Sequence, residues 1–237
     1  MEAAGASLAA AQEALFAERT RRVLVVLQGM DTSGKGGVID HVIGLVSPQG
    51  VHIRSFKKPT EAELRHHFLW RVRAALPGPG MIGIFDRSHY EDVLVARVHA
   101  LAAPEVLEKR YADIARFEAG LVEQGCTLVK CFLHISYDEQ RERLLARLAD
   151  PAKHWKFNEG DLAERARWAD YQEAYRIALE RCSTDAAPWY AVPADRKWYR
   201  NWAVGRLLEE TFAELDPQYP RPDLDVKRLT KALAPPN

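Results

Sequence analysis

The sequence predicts an α/β fold in which a five-stranded, mostly parallel sheet is flanked by helices and carries a helical lid. Short segments rich in valine, isoleucine and aromatic residues alternate with longer segments whose apolar residues recur at every third or fourth position. A glycine-rich loop joins the first apolar segment to the helical pattern that follows it. Strands that alternate with helices pair in parallel, because each helix carries the chain back across the sheet.

The predicted strands are short and apolar, and we place them at 22–27, 51–55, 81–85, 127–135 and 189–192. The predicted helices each show an apolar face, and we place them at 8–19, 35–46, 60–76, 88–98, 104–124, 137–148, 161–182 and 196–215. Most of these helices lie between two strands, as crossover connections in a parallel sheet require.

We expect one domain at 22–215, with an N-terminal helix at 1–21 before it and an extended tail at 216–237 after it. A chain of 237 residues can form one large core, and two separate cores are not expected. The tail is rich in proline, which interrupts regular structure. A lid segment is expected at about 149–182, where turn formers and cations (DPAKHWKFNEG) lead into a long helix.

Composition excludes several classes of protein. Lys+Arg and Asp+Glu both number 33, so the chain lacks the bulk positive field of proteins that coat nucleic acid, and no nucleic-acid partner is expected. No apolar run reaches the roughly 18 residues of a membrane span, and no signal peptide is evident, so we expect a cytoplasmic protein with no membrane partner. The three cysteines lack metal-ligand spacing and are expected to be reduced thiols.

The segment GMDTSGKGG at 29–37, here called the phosphate loop, has the G-x-x-x-x-G-K spacing that cradles phosphates with backbone N–H groups and a lysine. Its candidate phosphate-binding residues are Gly29, Ser33, Gly34, Lys35, Gly36 and Gly37. The loop departs from the usual pattern, because Gly36 stands where a Ser or Thr normally holds Mg²⁺ and Asp31 lies inside the loop instead. We therefore expect a changed metal site.

A second acid, Asp86, ends the predicted strand at 81–85 and is followed by Arg87. Either Asp86 caps the next helix, or it faces the ligand crevice at the carboxyl end of its strand and holds Mg²⁺. Together with the phosphate loop, the second interpretation is favoured, with Asp31 and Asp86 as the metal ligands. Arg87 either binds phosphate, which we favour, or pairs with Asp86.

Two further groups of cations are candidates for anion binding. Lys57 and Lys58 follow the second predicted strand, at the same edge of the sheet as the phosphate loop, and are candidates for an anionic substrate. The lid cations are Arg143, Arg147, Lys153 and Lys156, and a closing lid would bring them to a phosphoryl group in transfer. Arg147 is favoured as the catalytic cation over a surface ion pair with an acid such as Asp150.

The lid and nucleotide candidates also include Trp155, Trp168 and Arg97. A tryptophan near a nucleotide site can stack on a base, although an aromatic residue at helical spacing more often packs in the core. Both interpretations of the tryptophans stay open at this point.

Five segments taken in order resemble polyphosphate kinase family 2: GMDTSGKGG, FKKPTEAELRHHFLWR, FDRSHYEDVLVARV, RLADPAKHWKFNEGDLAERARWADYQEAY and APWYAVPADRKWYRN. Together they span about 20–205. The resemblance implies a P-loop kinase fold that transfers phosphate between inorganic polyphosphate and adenine nucleotides (AMP, ADP, ATP) with Mg²⁺, in a homo-oligomer. By motif position it assigns catalytic roles to Asp31, Lys35, Asp86, Arg87 and Arg147. The variants QGMDTSGKGG and SHYEDV are similar to the subgroup that acts on AMP as well as ADP.

Two other functions stay open from the residues alone. One is an ATP-dependent nucleoside monophosphate kinase, which shares the phosphate loop, the lid and Mg²⁺. The basic pair at 57–58 favours a phosphate chain as donor instead. The other is a nucleotide-binding switch without turnover, against which the two acids and the cationic lid argue.

Overall fold

Five parallel strands form a single sheet in the order β2–β3–β1–β4–β5 in the computed structural model, which describes residues 2–233. The strands are β1 (Arg22–Gln28), β2 (Val51–Ser55), β3 (Ile82–Asp86), β4 (Cys126–His134) and β5 (Trp189–Pro193). All four strand pairs are parallel. The predicted fold class is confirmed, and each predicted strand lies within one residue of its observed bounds at both ends.

The central strand β1 explains why the sheet forms in this order. Every residue from Val23 to Leu27 is fully buried, as a strand covered on both faces by helices must be. Its neighbours β3 and β4 are also largely buried, whereas the edge strand β2 is mostly exposed. The most apolar segment of the chain therefore lies at the centre of the sheet, and the phosphate loop leaves from its carboxyl end.

Helices cover both faces of the sheet and extend beyond it. They are α1 (Glu2–Glu18), α2 (Lys35–His41), α3 (Glu61–Leu64), α4 (Trp70–Arg73), α5 (Val95–Val98), α6 (Pro104–Glu123), α7 (Tyr137–Ala149), α8 (Gly160–Ala166), α9 (Trp168–Cys182), α10 (Lys197–Leu215) and α11 (Val226–Ala232). Among the residues that the structure describes, no helix is long and apolar enough to cross a membrane.

Several predicted helices are broken, because local side-chain contacts outweigh their apolar periodicity. The helix predicted at 60–76 forms only as α3 and α4, and the buried Arg71 of α4 reaches back to donate to the carbonyl of Lys57 at 2.8 Å. The helix predicted at 161–182 breaks at Arg167, whose guanidinium donates to the carbonyl of Val98 at 2.9 Å.

The other differences are at helix ends and in the tail. The helix predicted at 35–46 ends at His41 and continues as a 3₁₀ turn, and that predicted at 88–98 starts with one. In the tail, which we expected to be extended throughout, the short helix α11 follows an irregular stretch. The last part of the tail prediction, 234–237, lies outside the described residues.

A buried polar network ties β4 to the segment that follows β3. Lys130 Nζ lies 2.6 Å from Glu118 Oε2 and also donates to the hydroxyl of Tyr90 at 3.0 Å, and Lys130 and Glu118 are 0% and 1% exposed. Glu118 also accepts from the Tyr90 hydroxyl at 2.9 Å and from His89 Nε2 at 3.1 Å. Because its members bond one another, the network fixes the start of the segment after Asp86.

We expect Lys130→Met to lower the free energy of unfolding by about 3–5 kcal/mol, because it leaves the Glu118 carboxylate buried without a counter-charge. Urea unfolding followed by circular dichroism measures the change. The double variant Lys130→Met/Glu118→Gln, which removes both charges, is expected to recover part of the loss. Lys109→Met, at an exposed lysine of α6, is the matched control. A double variant no more stable than the single one would contradict the role assigned to the charge pair.

Candidate active site

The carboxyl ends of β1 and β3 bring the two sequence-predicted acids to one edge of the sheet. In the parallel register, Asp86 lies opposite Leu27 of β1 on one side and Ser55 of β2 on the other. The phosphate loop begins two residues after Leu27. Asp31 in that loop and Asp86 at the end of β3 therefore lie at the same edge of the sheet, as the sequence predicts.

Two glycines give the phosphate loop its shape. Gly29 has φ 154°, and a Cβ there would lie 2.6 Å from the carbonyl oxygen of Leu133 and from Ser33 Oγ. Gly34 has φ 105° and precedes the first residue of α2. Left-handed backbone of this kind strongly favours glycine, so both positions are glycines for reasons of geometry as well as of anion approach.

The phosphate loop carries two unpartnered hydroxyls and a lysine. The buried hydroxyls of Thr32 and Ser33 have no hydrogen-bond partner within the described part of the chain. Lys35, the first residue of α2, donates from Nζ to the carbonyl of Gly29 at 2.8 Å, so its ammonium group lies over the loop. Its pKa is lowered, mainly by burial and also by the charge of Arg87, while three nearby carboxylates oppose the shift. Loop, helix N-terminus and lysine together form a cradle for phosphate.

Arg87 is held against the loop by carboxylates. Its guanidinium lies 2.7 Å from Asp31 Oδ1 and 3.7 Å from Glu91 Oε2, and its backbone is left-handed at φ 63°. Burial lowers the pKa of Arg87, but Glu91 and Asp31 raise it by more, so the side chain stays charged. We expected that an ion pair, if Arg87 made one, would be with Asp86; the structure pairs it with Asp31 instead.

The two acids suit a metal ion shared with a substrate. Asp86 Oδ2 accepts a hydrogen bond from the hydroxyl of Ser55 at 3.3 Å, and Asp31 holds Arg87. Within residues 2–233, no group of three or more His, Cys, Asp or Glu side chains is placed to hold a metal by itself. Mg²⁺ commonly takes one or two carboxylates and completes its octahedron with water and substrate phosphates. The donor set fits that kind of site.

Glu91 belongs to the site, although the sequence analysis did not select it. It accepts from Gln28 Nε2 at 3.2 Å and faces Arg87. Burial raises the pKa of Glu91, while Arg87 and Gln28 oppose the shift. Its position four residues after Arg87, on the short helical segment that follows that arginine, was the available signal.

Arg147, on the last turn of α7, contacts the lid segment. Arg147 Nη1 lies 3.7 Å from Asp161 Oδ2 and donates to the carbonyl of Lys156 at 3.3 Å. Burial raises the pKa of Asp161, and the negative charge of Asp31 raises it further. The expected alternative partner, Asp150, instead pairs with Lys153 at 2.8 Å.

The remaining candidates are dispersed. Lys156 lies 4.9 Å over the ring of Trp155, which is 78% exposed. Trp168 packs edge-on against Tyr137, with ring centroids 5.1 Å apart, and against the core. Of the two interpretations of this tryptophan, the structure therefore shows core packing. Arg97 donates to the hydroxyl of Tyr111 at 3.3 Å. In this conformation, each of these side chains has a protein partner.

The basic pair after β2 is exposed, and its backbone is fixed. Lys57 and Lys58 both lie on the surface loop, while the carbonyl of Lys57 accepts from the buried Arg71. Arg71 is balanced by Asp92 at 3.6 Å and Glu63 at 3.9 Å. The loop is therefore anchored from beneath, and the two ammonium groups are left to solvent.

Arg143 does not act as a lid cation. It projects from α7 and donates to the carbonyls of Thr32 at 2.8 Å, Ala194 at 2.7 Å and Asp195 at 2.8 Å. Because backbone carbonyls and Glu139 use its donors, Arg143 braces the phosphate loop. The sequence expectation for this residue is wrong, because cation content does not indicate which way a side chain on α7 points.

Comparisons with known proteins show what this chain is similar to. A family model described as Polyphosphate kinase 2 matches residues 1–220. An AMP/ADP-polyphosphate phosphotransferase from Meiothermus ruber is 52% identical over 218 residues, covering 92% of this chain and 82% of the relative. An ADP-polyphosphate phosphotransferase from Rhodopseudomonas palustris is 44% identical, covering 88% of this chain and 76% of the relative.

A solved structure also matches closely. The crystal structure of Polyphosphate Kinase 2 from Arthrobacter aurescens TC1 superposes with a TM-score of 0.96 at 51% sequence identity. The match covers 98% of this chain and 83% of that chain. The fold described above is therefore shared over nearly the whole chain.

We expect Asp31→Asn and Asp86→Asn each to raise the Mg²⁺ concentration needed for half-maximal activity and to lower kcat by about 10²–10³-fold, the usual cost of removing one electrostatic contact in a site of this kind. Each change keeps the size of the side chain and removes its charge. Steady-state kinetics over a Mg²⁺ titration measure both effects. Asp185→Asn, at an exposed aspartate outside the site, is the matched control. Variants whose activity and Mg²⁺ dependence match the control would refute the metal site.

Arg147→Ala is expected to lower kcat and kcat/KM together while leaving nucleotide affinity nearly unchanged. An interaction made only in the transition state has this kinetic signature. Steady-state kinetics and equilibrium binding of ADP separate the two quantities. Arg141→Ala removes an exposed arginine from the same helix, whose partner is Glu142, and serves as the control. If both variants behave alike, Arg147 only makes an ion pair worth under about 1 kcal/mol.

Proposed function

This chain belongs to the polyphosphate kinase 2 family, and we propose that it phosphorylates both AMP and ADP with inorganic polyphosphate, reversibly and with Mg²⁺ as cofactor. It has the P-loop kinase fold and is a polyphosphate-dependent nucleotide phosphotransferase. The observation that carries the proposal is the cradle of phosphate loop, Lys35 and Arg87 beside two carboxylates, in a chain 52% identical to a phosphotransferase named for both AMP and ADP.

The proposed reaction moves one phosphoryl group between two anions. A terminal phosphate oxygen of the nucleotide attacks the terminal phosphorus of the chain. As the new P–O bond forms, the bond from that phosphorus to its bridging oxygen breaks, and the shortened chain leaves with that oxygen. Lys35 and the loop N–H groups hold the phosphates, and Arg87 and Arg147 offset the charge of the group in transfer. Mg²⁺ held by Asp31 and Asp86 would supply further charge neutralisation and orient the phosphate oxygens.

The donor is proposed to reach the loop along the basic surface after β2. Lys57 and Lys58 are exposed at the carboxyl end of β2, next to the strand that ends in Asp86. A polyanion can gain from cations outside the reacting centre, because its charge continues along the chain. This surface supports a phosphate chain over ATP as the donor.

Three further features belong to the proposal. ATP is the product when ADP is the acceptor. The activity is proposed to be cytoplasmic, because its proposed substrates include adenine nucleotides. A homo-oligomer stays a prediction.

A coupled assay of ATP formation tests the proposal, with ADP or AMP as acceptor and either polyphosphate or ATP as donor. We expect turnover with polyphosphate for both acceptors. The variant Lys57→Ala/Lys58→Ala is expected to raise KM for long polyphosphate about fivefold, equivalent to about 1 kcal/mol for exposed charge contacts. KM for the nucleotide should change little, and the effect should shrink as salt screens the charges.

Lys109→Ala removes an exposed lysine from α6 and controls for net charge. Phosphate transfer only from ATP would replace the proposal by the nucleoside monophosphate kinase alternative. Equal increases in KM for polyphosphate and nucleotide would remove the two lysines from the chain-binding surface.

A further inference from the structure

Two arginines from separate helices hydrogen-bond to a carbonyl on one side of the phosphate loop, here called its outer side. Arg143 of α7 donates to the carbonyl of Ser33 at 3.3 Å in addition to its other loop contact, and Arg200 of α10 donates to the same oxygen at 3.4 Å. Arg200 follows Ser33 by 167 positions, so no local pattern links them. Neither arginine has been given a role in the reaction above.

These contacts determine where the loop N–H groups point. In a trans peptide the carbonyl and the following N–H point in opposite directions, and the described residues contain no cis peptide. Because the carbonyl of Ser33 faces the arginines, the N–H of Gly34 faces away from them. A turn whose N–H groups converge on the other side is an anion-binding nest.

The guanidinium of Arg200 fills the space where two loop glycines lack a side chain. A Cβ on Gly34 would lie 1.7 Å from Arg200 Nη1, and a Cβ on Gly37 would lie 2.5 Å from Arg200 Nη2. A Cβ on Gly36 would meet nothing within 4 Å. Gly37 is helical rather than left-handed, so a side chain at this position would meet the arginine without straining its own backbone.

Arg200 is a buried charge without a carboxylate partner among the described residues. It is 3% exposed, and its other hydrogen bonds go to the side-chain oxygen of Asn201 at 3.0 and 2.8 Å. Burial, and then the nearby charge of Arg143, lower the pKa of Arg200 to about 10, so it remains protonated at neutral pH. An uncompensated buried charge is costly unless something else repays its desolvation.

We propose that Arg143 and Arg200 are positioning residues that orient the peptides of the phosphate loop toward the phosphate chain, and that Arg200 also places a positive charge without a carboxylate partner beside the loop. The inference rests on the proposed function, because a phosphate chain is the anion that this charge would offset. Neither side chain needs to touch the substrate, since each acts through the carbonyl of Ser33.

A double-mutant cycle between Gly37 and Arg200 tests the proposal, with the variants Gly37→Ala, Arg200→Ala and the two combined. Gly37→Ala displaces the guanidinium, so we expect each single variant to raise KM for polyphosphate and to lower kcat by up to about 100-fold, the cost of a misplacement near 1 Å. The double variant should be no worse than Arg200→Ala alone, because the added methyl group then fits the space left by the arginine. Added guanidinium ion should restore activity to Arg200→Ala, and sodium chloride at equal ionic strength should not.

Thermal unfolding of each variant separates positioning from stability. Gly120→Ala, in α6 where a Cβ meets nothing within 4 Å, controls for the general effect of glycine replacement in a helix. Arg200→Lys keeps the positive charge but loses the planar arrangement of donors that the guanidinium has. It replaces Arg200→Ala in the cycle if that variant does not fold. Additive losses in the double variant, or a lowered melting temperature with unchanged KM and kcat, would overturn the proposal. If wild-type protein transfers phosphate only from ATP, the proposed function fails, and the same cycle with ATP as donor still tests the arginines.

Discussion

The turn between β1 and α2 has to keep its N–H groups directed at an anion while its backbone is surrounded by protein. The backbone N–H groups of a buried turn are normally hydrogen-bonded within the protein. A turn that keeps them free for an anion therefore has to be held in shape by contacts from other parts of the chain. Gly29 and Gly34 provide the left-handed backbone, and the buried β1 fixes the point from which the loop leaves. The carbonyls on the outer side are held by Arg143, whose guanidinium spans from the loop to the segment after β5. The rest of the fold can be understood as the scaffold for this turn.

Charge balance at the sheet edge explains how a chain with no net charge can hold a polyanion. The charged side chains are concentrated near the carboxyl ends of β1 and β3. Two cations and three acids lie close together there: Lys35, Arg87, Asp31, Asp86 and Glu91. The carboxylates keep the arginine charged and oriented, and the same carboxylates suit a metal ion that would come with phosphate. A bound phosphate chain would therefore exchange partners with ion pairs that already exist at the site, and the protein needs no net positive charge to bind it.

Local sequence predicted local geometry well. The phosphate loop, Asp86 and the five strands were all found where their residue patterns placed them, because glycine spacing and apolar runs act over a few residues. The helix predicted at 60–76 forms only as two short pieces, and Arg71 of the second piece turns inward to the Lys57 carbonyl, a contact that periodicity does not encode. Arg200 was missed and Arg143 misassigned because each contacts the loop across more than a hundred residues. Long-range pairing of this kind leaves no trace in a single sequence.

The central claim is that the phosphate loop holds a polyphosphate donor whose terminal group passes to the nucleotide. Incubation of wild-type protein with ³²P-labelled polyphosphate, unlabelled ADP and Mg²⁺, followed by separation of the nucleotides, tests it directly. We expect the initial ATP to carry label in its γ-phosphate with no AMP beside it, and Lys35→Ala to slow the transfer by an amount equivalent to about 3–4 kcal/mol. Unlabelled ATP formed together with an equal amount of AMP would instead show that two ADP molecules react with each other, and that the loop does not hold a polyphosphate donor.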